Sequence, residues 1–223
     1  MNLQHSIIYL IFFLCFSIFI EAQNLHFIIF ADTTDIDIGK GNKRSLERLE
    51  KLGQSMERSK SIDSLAWYRY LDKDFTKENL FLLLDSLRES EAISSSDIVW
   101  FYFLGHGQQS GTDTWPSLMF NSKSWKLSEI DDKLNRLNAQ LTLCMAEACN
   151  NSSAIYPGPF SQEESSNSAY VAASIDTIFQ YRGFKDLFTL SKGSAIVSSS
   201  SFSEESYINE TEGGIFTRVF CNA

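Results

Sequence analysis

Apolar and polar positions divide the chain into two alternating kinds of segment. Leu25 to Ala31 (LHFIIFA) and Asp97 to Leu104 (DIVWFYFL) are apolar runs rich in branched and aromatic residues. Runs of this length and composition predict buried strands, and the second is apolar on both faces. Leu65 to Leu71, Leu141 to Met145 and Ser194 to Ser199 complete the set of expected strands. Between them the period changes. Leu46, Leu49, Leu52 and Met56 recur at helical spacing among Lys, Arg and Glu, and Leu80, Leu83, Leu84 and Leu87 make an i, i+3, i+4, i+7 stripe. Leu127, Ile130, Leu134 and Leu137 predict a third helix, Ile178 to Leu190 a fourth, and Ile215 to Phe220 the opening of a last one. The stretch after Leu104 reads as a long polar loop. Asn150 to Ser168, rich in Ser, Asn, Glu and Pro without a period, reads as a mobile one.

Strands alternating with helices imply an α/β fold, a three-layer sandwich with a mainly parallel central sheet flanked by helices. Asp97–Leu104 belongs at its centre, because only a central strand is buried on both faces. In such sheets functional groups gather beyond the carboxyl ends of the strands. Two turns qualify: Gly105-His106-Gly107 after one central strand, and Glu147-Ala148-Cys149-Asn150 after another.

The amino end differs from the rest. Ile7 to Ile20 is apolar except for Ser17, and its 14 residues fall short of the roughly 20 that span a bilayer. Glu21-Ala22-Gln23-Asn24 follows, with Ala22 placed for signal peptidase, so residues 1–22 are expected to be a secretory signal peptide and 23–223 one domain. An uncleaved anchor is the alternative, and the absence of Lys and Arg before Ile7 is the feature that fits a signal peptide least. Export to the medium or a periplasm would leave no stable membrane association. A net charge of −9 argues against a nucleic-acid partner, since phosphate binding needs clustered Lys and Arg.

Cys15 would leave with the signal, so Cys144, Cys149 and Cys221 remain, too few for a disulfide framework and not spaced for zinc. At least one thiol should be free, and an exposed free thiol in an exported protein usually has a use. His106, flanked by glycines past a central strand, is placed to act as a base. Cys149 sits at the matching end of another strand. A thiol beside an imidazole is the arrangement for nucleophilic acyl transfer, with backbone N–H groups of the turn facing the oxyanion.

Asp97–Gly107 (DIVWFYFLGHG) is similar to the segment ending in the catalytic histidine of caspases and metacaspases, and Leu141–Ser152 (LTLCMAEACNNS) resembles their strand leading to the catalytic cysteine. Phe184 to Phe188, then GSAIVSSSSFSEES, then Gly213-Gly214-Ile215-Phe216-Thr217 resemble the helix, strand, serine-rich turn and helix start that close such domains. The resemblance implies a caspase-like fold and a cysteine endopeptidase acting on peptides or proteins. It assigns His106 as general base and acid, Cys149 as nucleophile, and the N–H groups of Gly107 and Cys149 as the oxyanion hole. It also implies that Glu147, two residues before the cysteine, receives an Arg or Lys of the substrate, with Asp32 as a looser second carboxylate. Metacaspases usually carry Asp where Glu147 stands, a small residue where Leu104 stands, and a small polar residue and Gly where Asn150-Asn151 stand. These departures bear on substrate preference more than on the pair. A catalytically inactive caspase-fold binding module is the alternative reading.

No cofactor or metal is expected. Calcium assists some metacaspases, but Asp113, Asp131 and Asp132 do not have calcium-loop spacing and read as surface or helix-start carboxylates. Between Arg136 and Arg182 there is no Lys or Arg. An enzyme specific for basic residues would be unable to cut itself after Cys149, and is expected to act as an intact single chain.

Overall fold

The two most apolar runs of the sequence lie side by side. The computed structural model describes residues 23–58, 60, 62–121, 123–152, 188 and 190–222. The expected signal peptide and most of both the Asn150–Ser168 loop and the Ile178–Leu190 helix lie outside the described residues. In chain order the elements are β1 (Asn24–Ala31), α1 (Gly39–Arg58), β2 (Ser64–Leu71), α2 (Lys77–Glu89) and β3 (Ile98–Leu104). Then come β4 (Gly107–Gln108), β5 (Ser117–Phe120), β6 (Lys123–Lys126), α3 (Leu127–Asn135) and β7 (Leu141–Glu147). β8 (Gly193–Ser198), β9 (Ile208–Asn209), β10 (Gly213–Gly214) and α4 (Ile215–Asn222) complete the set.

One parallel sheet in the order β2-β1-β3-β7-β8 forms the middle layer, with β3 at its centre. Successive side chains of a strand point to opposite faces, so an unbroken apolar run feeds two cores. β3 does this: Trp100, Tyr102 and Leu104 join Leu46, Leu49, Leu52 and Met56 of α1, while Val99, Phe101 and Phe103 join Leu80, Leu84 and Leu87 of α2 and Ile130 and Leu134 of α3. Phe216 and Phe220 of α4 pack on the α1 side, as does Phe188. Helices therefore cover both faces, and the three-layer α/β arrangement expected from the alternation is the one observed.

Three local expectations need correction. The segment after Leu104 is not a featureless loop: β4, β5 and β6 form a small antiparallel sheet, and Leu118, Phe120 and Trp125 enter the core. Strands of two to four residues are too short to show a period. The strand begun at Leu141 runs on through Ala146 and Glu147, so Cys149 stands two residues beyond its end. Asp131 is buried rather than a surface charge, accepting hydrogen bonds from Asn135 Nδ2 and Ser194 Oγ, each at 2.8 Å.

The helix faces make a direct test. Leu84 is 4% exposed and Leu82, on the same helix, 65%. Leu84→Ala should lower the unfolding free energy by about 2–5 kcal/mol, and Leu82→Ala by no more than about 0.5 kcal/mol, in denaturant titrations. Equal losses would contradict this placement of α2.

Candidate active site

Parallel pairing in register decides which loop tips meet. β3 and β7 are partnered from Ile98↔Leu141 to Leu104↔Glu147. Neighbouring strands lie roughly 4.8 Å apart, and the two chains leave the sheet together. His106 and Cys149 each stand two residues past that last pair. The Gly105 N–H still reaches the Glu147 carbonyl at 3.4 Å, carrying the pairing one step further.

Gly107 shows how close the tips are. A Cβ there would overlap the Cys149 carbonyl oxygen and lie 2.8 Å from Ala148 Cβ, so only glycine lets the two backbones touch. Gly107 faces Leu118 in the β4–β5 ladder, and the bond beside that pair runs from the Met119 N–H to the His106 carbonyl at 2.9 Å. In this pattern the facing pair exchanges no hydrogen bonds, which leaves the Gly107 N–H outside the ladder. His106, Cys149 and Glu147 line one small pocket with Asn42, Ser206 and Ile208.

The Cys149 sulfur is held by the backbone of Ser206: the Ser206 N–H donates to it at 3.4 Å, and the thiol approaches the Ser206 carbonyl at 3.9 Å. Burial raises the thiol above its ordinary range, the Ser206 N–H works the other way, and the nearby Glu205 charge adds to the rise. The thiol is therefore the resting form near neutrality. Cys144 is fully buried in the core and Cys221 is held up to about 12, chiefly by burial. Neither belongs to this pocket, and the three thiols of the described residues are free.

Outside the pocket lining, His106 Nε2 lies 3.3 Å from Asp35 Oδ2, an ion-pair distance without the alignment of a hydrogen bond, with the imidazole 31% and the carboxylate 21% exposed. Asp35 was not among the residues picked out in the sequence. Its other oxygen, Oδ1, accepts the N–H groups of Asp37 at 2.9 Å and Ile38 at 3.0 Å, capping the turn that opens α1. Burial pushes this carboxyl up, but the backbone donors of Ile38 and Asp37 and the His106 charge outweigh it and hold it below its usual value. The loop itself is fixed: Asn42 Nδ2 donates to the Asp32 carbonyl at 2.7 Å, and Thr33 bonds Asp72 through both its N–H and its hydroxyl. The sequence signal was an Asp three residues before Ile38 at a helix start, which marks a cap and says nothing of an imidazole.

Asp32 and Glu147 do different things. Asp32 Oδ1 accepts from Thr34 N–H and hydroxyl and from Asp35 N–H, within its own turn, and Asp32 does not line the pocket. Glu147 does line it, yet is only 4% exposed. Its oxygens accept the Thr217 N–H at 3.2 Å, the Thr217 hydroxyl at 2.6 Å and the Ser45 hydroxyl at 3.2 Å. Ser45 Oγ also accepts the Gly214 N–H, and any Cβ on Gly214 would overlap the carboxylate. Burial raises the Glu147 carboxyl despite those donors. Among the described residues no group of three or more His, Cys, Asp or Glu side chains could hold a metal ion.

The profile of the caspase domain matches residues 48–223, most of the chain. The chain belongs to the caspase-domain family. The matched stretch carries β3, β7, β8 and α4, hence His106, Cys149, Glu147 and Thr217, and begins after the loop that supplies Asp35. Family membership points to cysteine-peptidase chemistry on protein substrates. The fold is also similar to the crystal structure of protein GSU0716 from Geobacter sulfurreducens, at 12% identity and a TM-score of 0.48 over 87% of this chain and 79% of that one. No curated protein matches the chain by sequence.

Glu147 sets a pH signature. Its folded-state carboxyl lies above the unfolded value of 4.5, so the folded state holds the proton more tightly. That contribution is full below the unfolded value and is lost as pH rises through the folded one. Glu147→Gln should therefore lose less stability than wild type as pH rises above the ordinary carboxylate range, in denaturant titrations. An unchanged or larger difference would contradict the raised carboxyl.

Proposed function

We propose that the caspase domain is a cysteine endopeptidase in which Cys149 attacks the scissile carbonyl and His106 serves as general base and acid, with cleavage after Arg or Lys. The observation that carries this reading is the meeting of both groups in one pocket at the in-register ends of β3 and β7, with Gly107 seated on the Cys149 backbone. Because the resting thiol is neutral, His106 takes its proton as the sulfur bonds to the carbonyl carbon. The oxyanion faces the N–H groups of Gly107 and Cys149. The imidazolium then gives its proton to the departing amine, and water activated by the same imidazole hydrolyses the thioester.

A basic residue before the scissile bond suits the pocket on charge grounds. Glu147 lines it, and among the described residues no Lys or Arg does. A carboxylate offers about four acceptor sites. The Thr217 N–H and hydroxyl, the Ser45 hydroxyl and the Phe216 N–H already face it, so a substrate cation would be attracted by its charge rather than fill a vacant acceptor site. A cation arriving there would favour the ionised carboxylate that burial disfavours. Cleavage after Ala22 would leave the fold intact: the Gln23 N–H donates to Asp63 Oδ2 at 2.6 Å, so the new ammonium would meet a carboxylate, and β1 would stay whole.

Fluorogenic peptides ending in Arg, Lys or Asp test the reading. Arg and Lys peptides should be cut, and Cys149→Ala should reduce the rate to background. Activity surviving that substitution would remove Cys149 as nucleophile, and inertness towards every peptide would favour a binding module. Amino-terminal sequencing of the exported protein should begin at Gln23; a retained Met1 would sink the signal-peptide assignment.

A further inference from the structure

One contact of His106 has no part in a two-residue mechanism. His106 Nε2 stands 3.3 Å from Asp35 Oδ2, on a loop distant in sequence from both strand ends. We infer that Asp35 is a positioning residue that makes the site a Cys149–His106–Asp35 triad, and this rests on the peptidase reading above. An imidazole working alone chooses between two tautomers and can turn about its ring bond. A carboxylate facing one nitrogen at ion-pair distance biases both, and stabilises the imidazolium formed when the other nitrogen takes a proton. With Nε2 on Asp35, Nδ1 is the nitrogen for the thiol.

The carboxylate is built for that duty. Both of its oxygens are used, for separate purposes: Oδ1 is pinned by the N–H groups of Asp37 and Ile38, and Oδ2 faces His106. The Asp35 carbonyl accepts the Gly39 N–H at 3.0 Å, so the side chain is anchored at both ends of its own residue. The loop is bound back to the sheet, the Asp32 N–H donating to the carbonyl of Leu104, two residues before His106, at 3.0 Å. The strand that leads to the imidazole and the loop that carries the carboxylate are thus tied near His106. The need for such help follows from Cys149. A resting thiol raised by burial and by Glu205 must surrender its proton during attack, and a base stabilised in its protonated form lowers that barrier.

The test separates capping from positioning. Asp35→Asn and Asp35→Ser keep a side-chain oxygen for the Asp37 and Ile38 N–H groups but remove the carboxylate. The full chain carrying each change is compared with wild type and with His106→Ala. Two quantities are read: kcat and KM on the cleaved peptide, and the rate of iodoacetamide labelling at Cys149, followed by peptide-mapped mass spectrometry. Both cap-retaining variants should keep the melting temperature. Their kcat and labelling rate should fall roughly tenfold or more with KM changed less than about twofold. If either folds and keeps wild-type kcat and labelling while His106→Ala loses both, Asp35 is only a cap and the inference is overturned, with the Cys–His reading intact. If neither variant folds, its role is structural and the inference also falls. If His106→Ala leaves labelling and turnover unchanged, the peptidase reading itself fails first.

Discussion

The register of β3 against β7 is the constraint on which the rest of the molecule depends. Leu104 faces Glu147, and every site residue is counted from that pair. In a parallel sheet a slip of one residue would do more than offset the tips. It would turn Trp100, Tyr102 and Leu104 towards α2 and α3, and Phe101 and Phe103 towards α1. Two different hydrophobic cores thus lock a register that chemistry then uses. Gly107 adds a second lock, since its bare Cα is what lets the histidine turn lie on the cysteine turn.

Glu147 shows how one group can hold several elements together. It ends β7, accepts from Ser45 of α1 and Thr217 of α4, and lies under Gly214. Tyr102 extends the same web through its hydroxyl, 2.8 Å from Thr217 Oγ1. A carboxylate buried this far is costly unless its acceptor sites are filled, and hydroxyl and amide donors from two helices fill most of them. The helices in return are held at the pocket wall. A shorter Asp at this position would reach less easily to both, which gives the extra methylene of Glu147 a physical reason.

Long segments were legible in the sequence because each carries a complete period. The run DIVWFYFL and the stripes at Leu46–Met56 and Leu80–Leu87 each announce the surface they bury, and the order of strands and helices followed. His106 and Cys149 were legible because strand ends and glycines mark loop tips. What escaped depends on partners distant in the chain. β4 to β6 are too short to have a period and are stabilised by pairing with one another. Asp131 looks like any helix carboxylate until Ser194, from β8, comes to bond it. Asp32 and Asp35 are alike in an Asp-rich turn, and only the folded loop spends one on Thr34 and turns an oxygen of the other to the imidazole.

The electrostatic setting explains why such a site would hold its thiol in reserve. Glu205 and burial both oppose a thiolate, and the Ser206 N–H favours it only in part. A permanently ionised sulfur would be open to oxidation and disulfide exchange, because the thiolate is the reactive form. A neutral thiol under the Ser206 backbone is protected from both. On the proposed basic specificity, the acidic surroundings that disfavour the thiolate would favour a cationic side chain in the pocket. Substrate would then bring the compensating charge with it, and ionisation of Cys149 would become cheapest at the moment a peptide is bound.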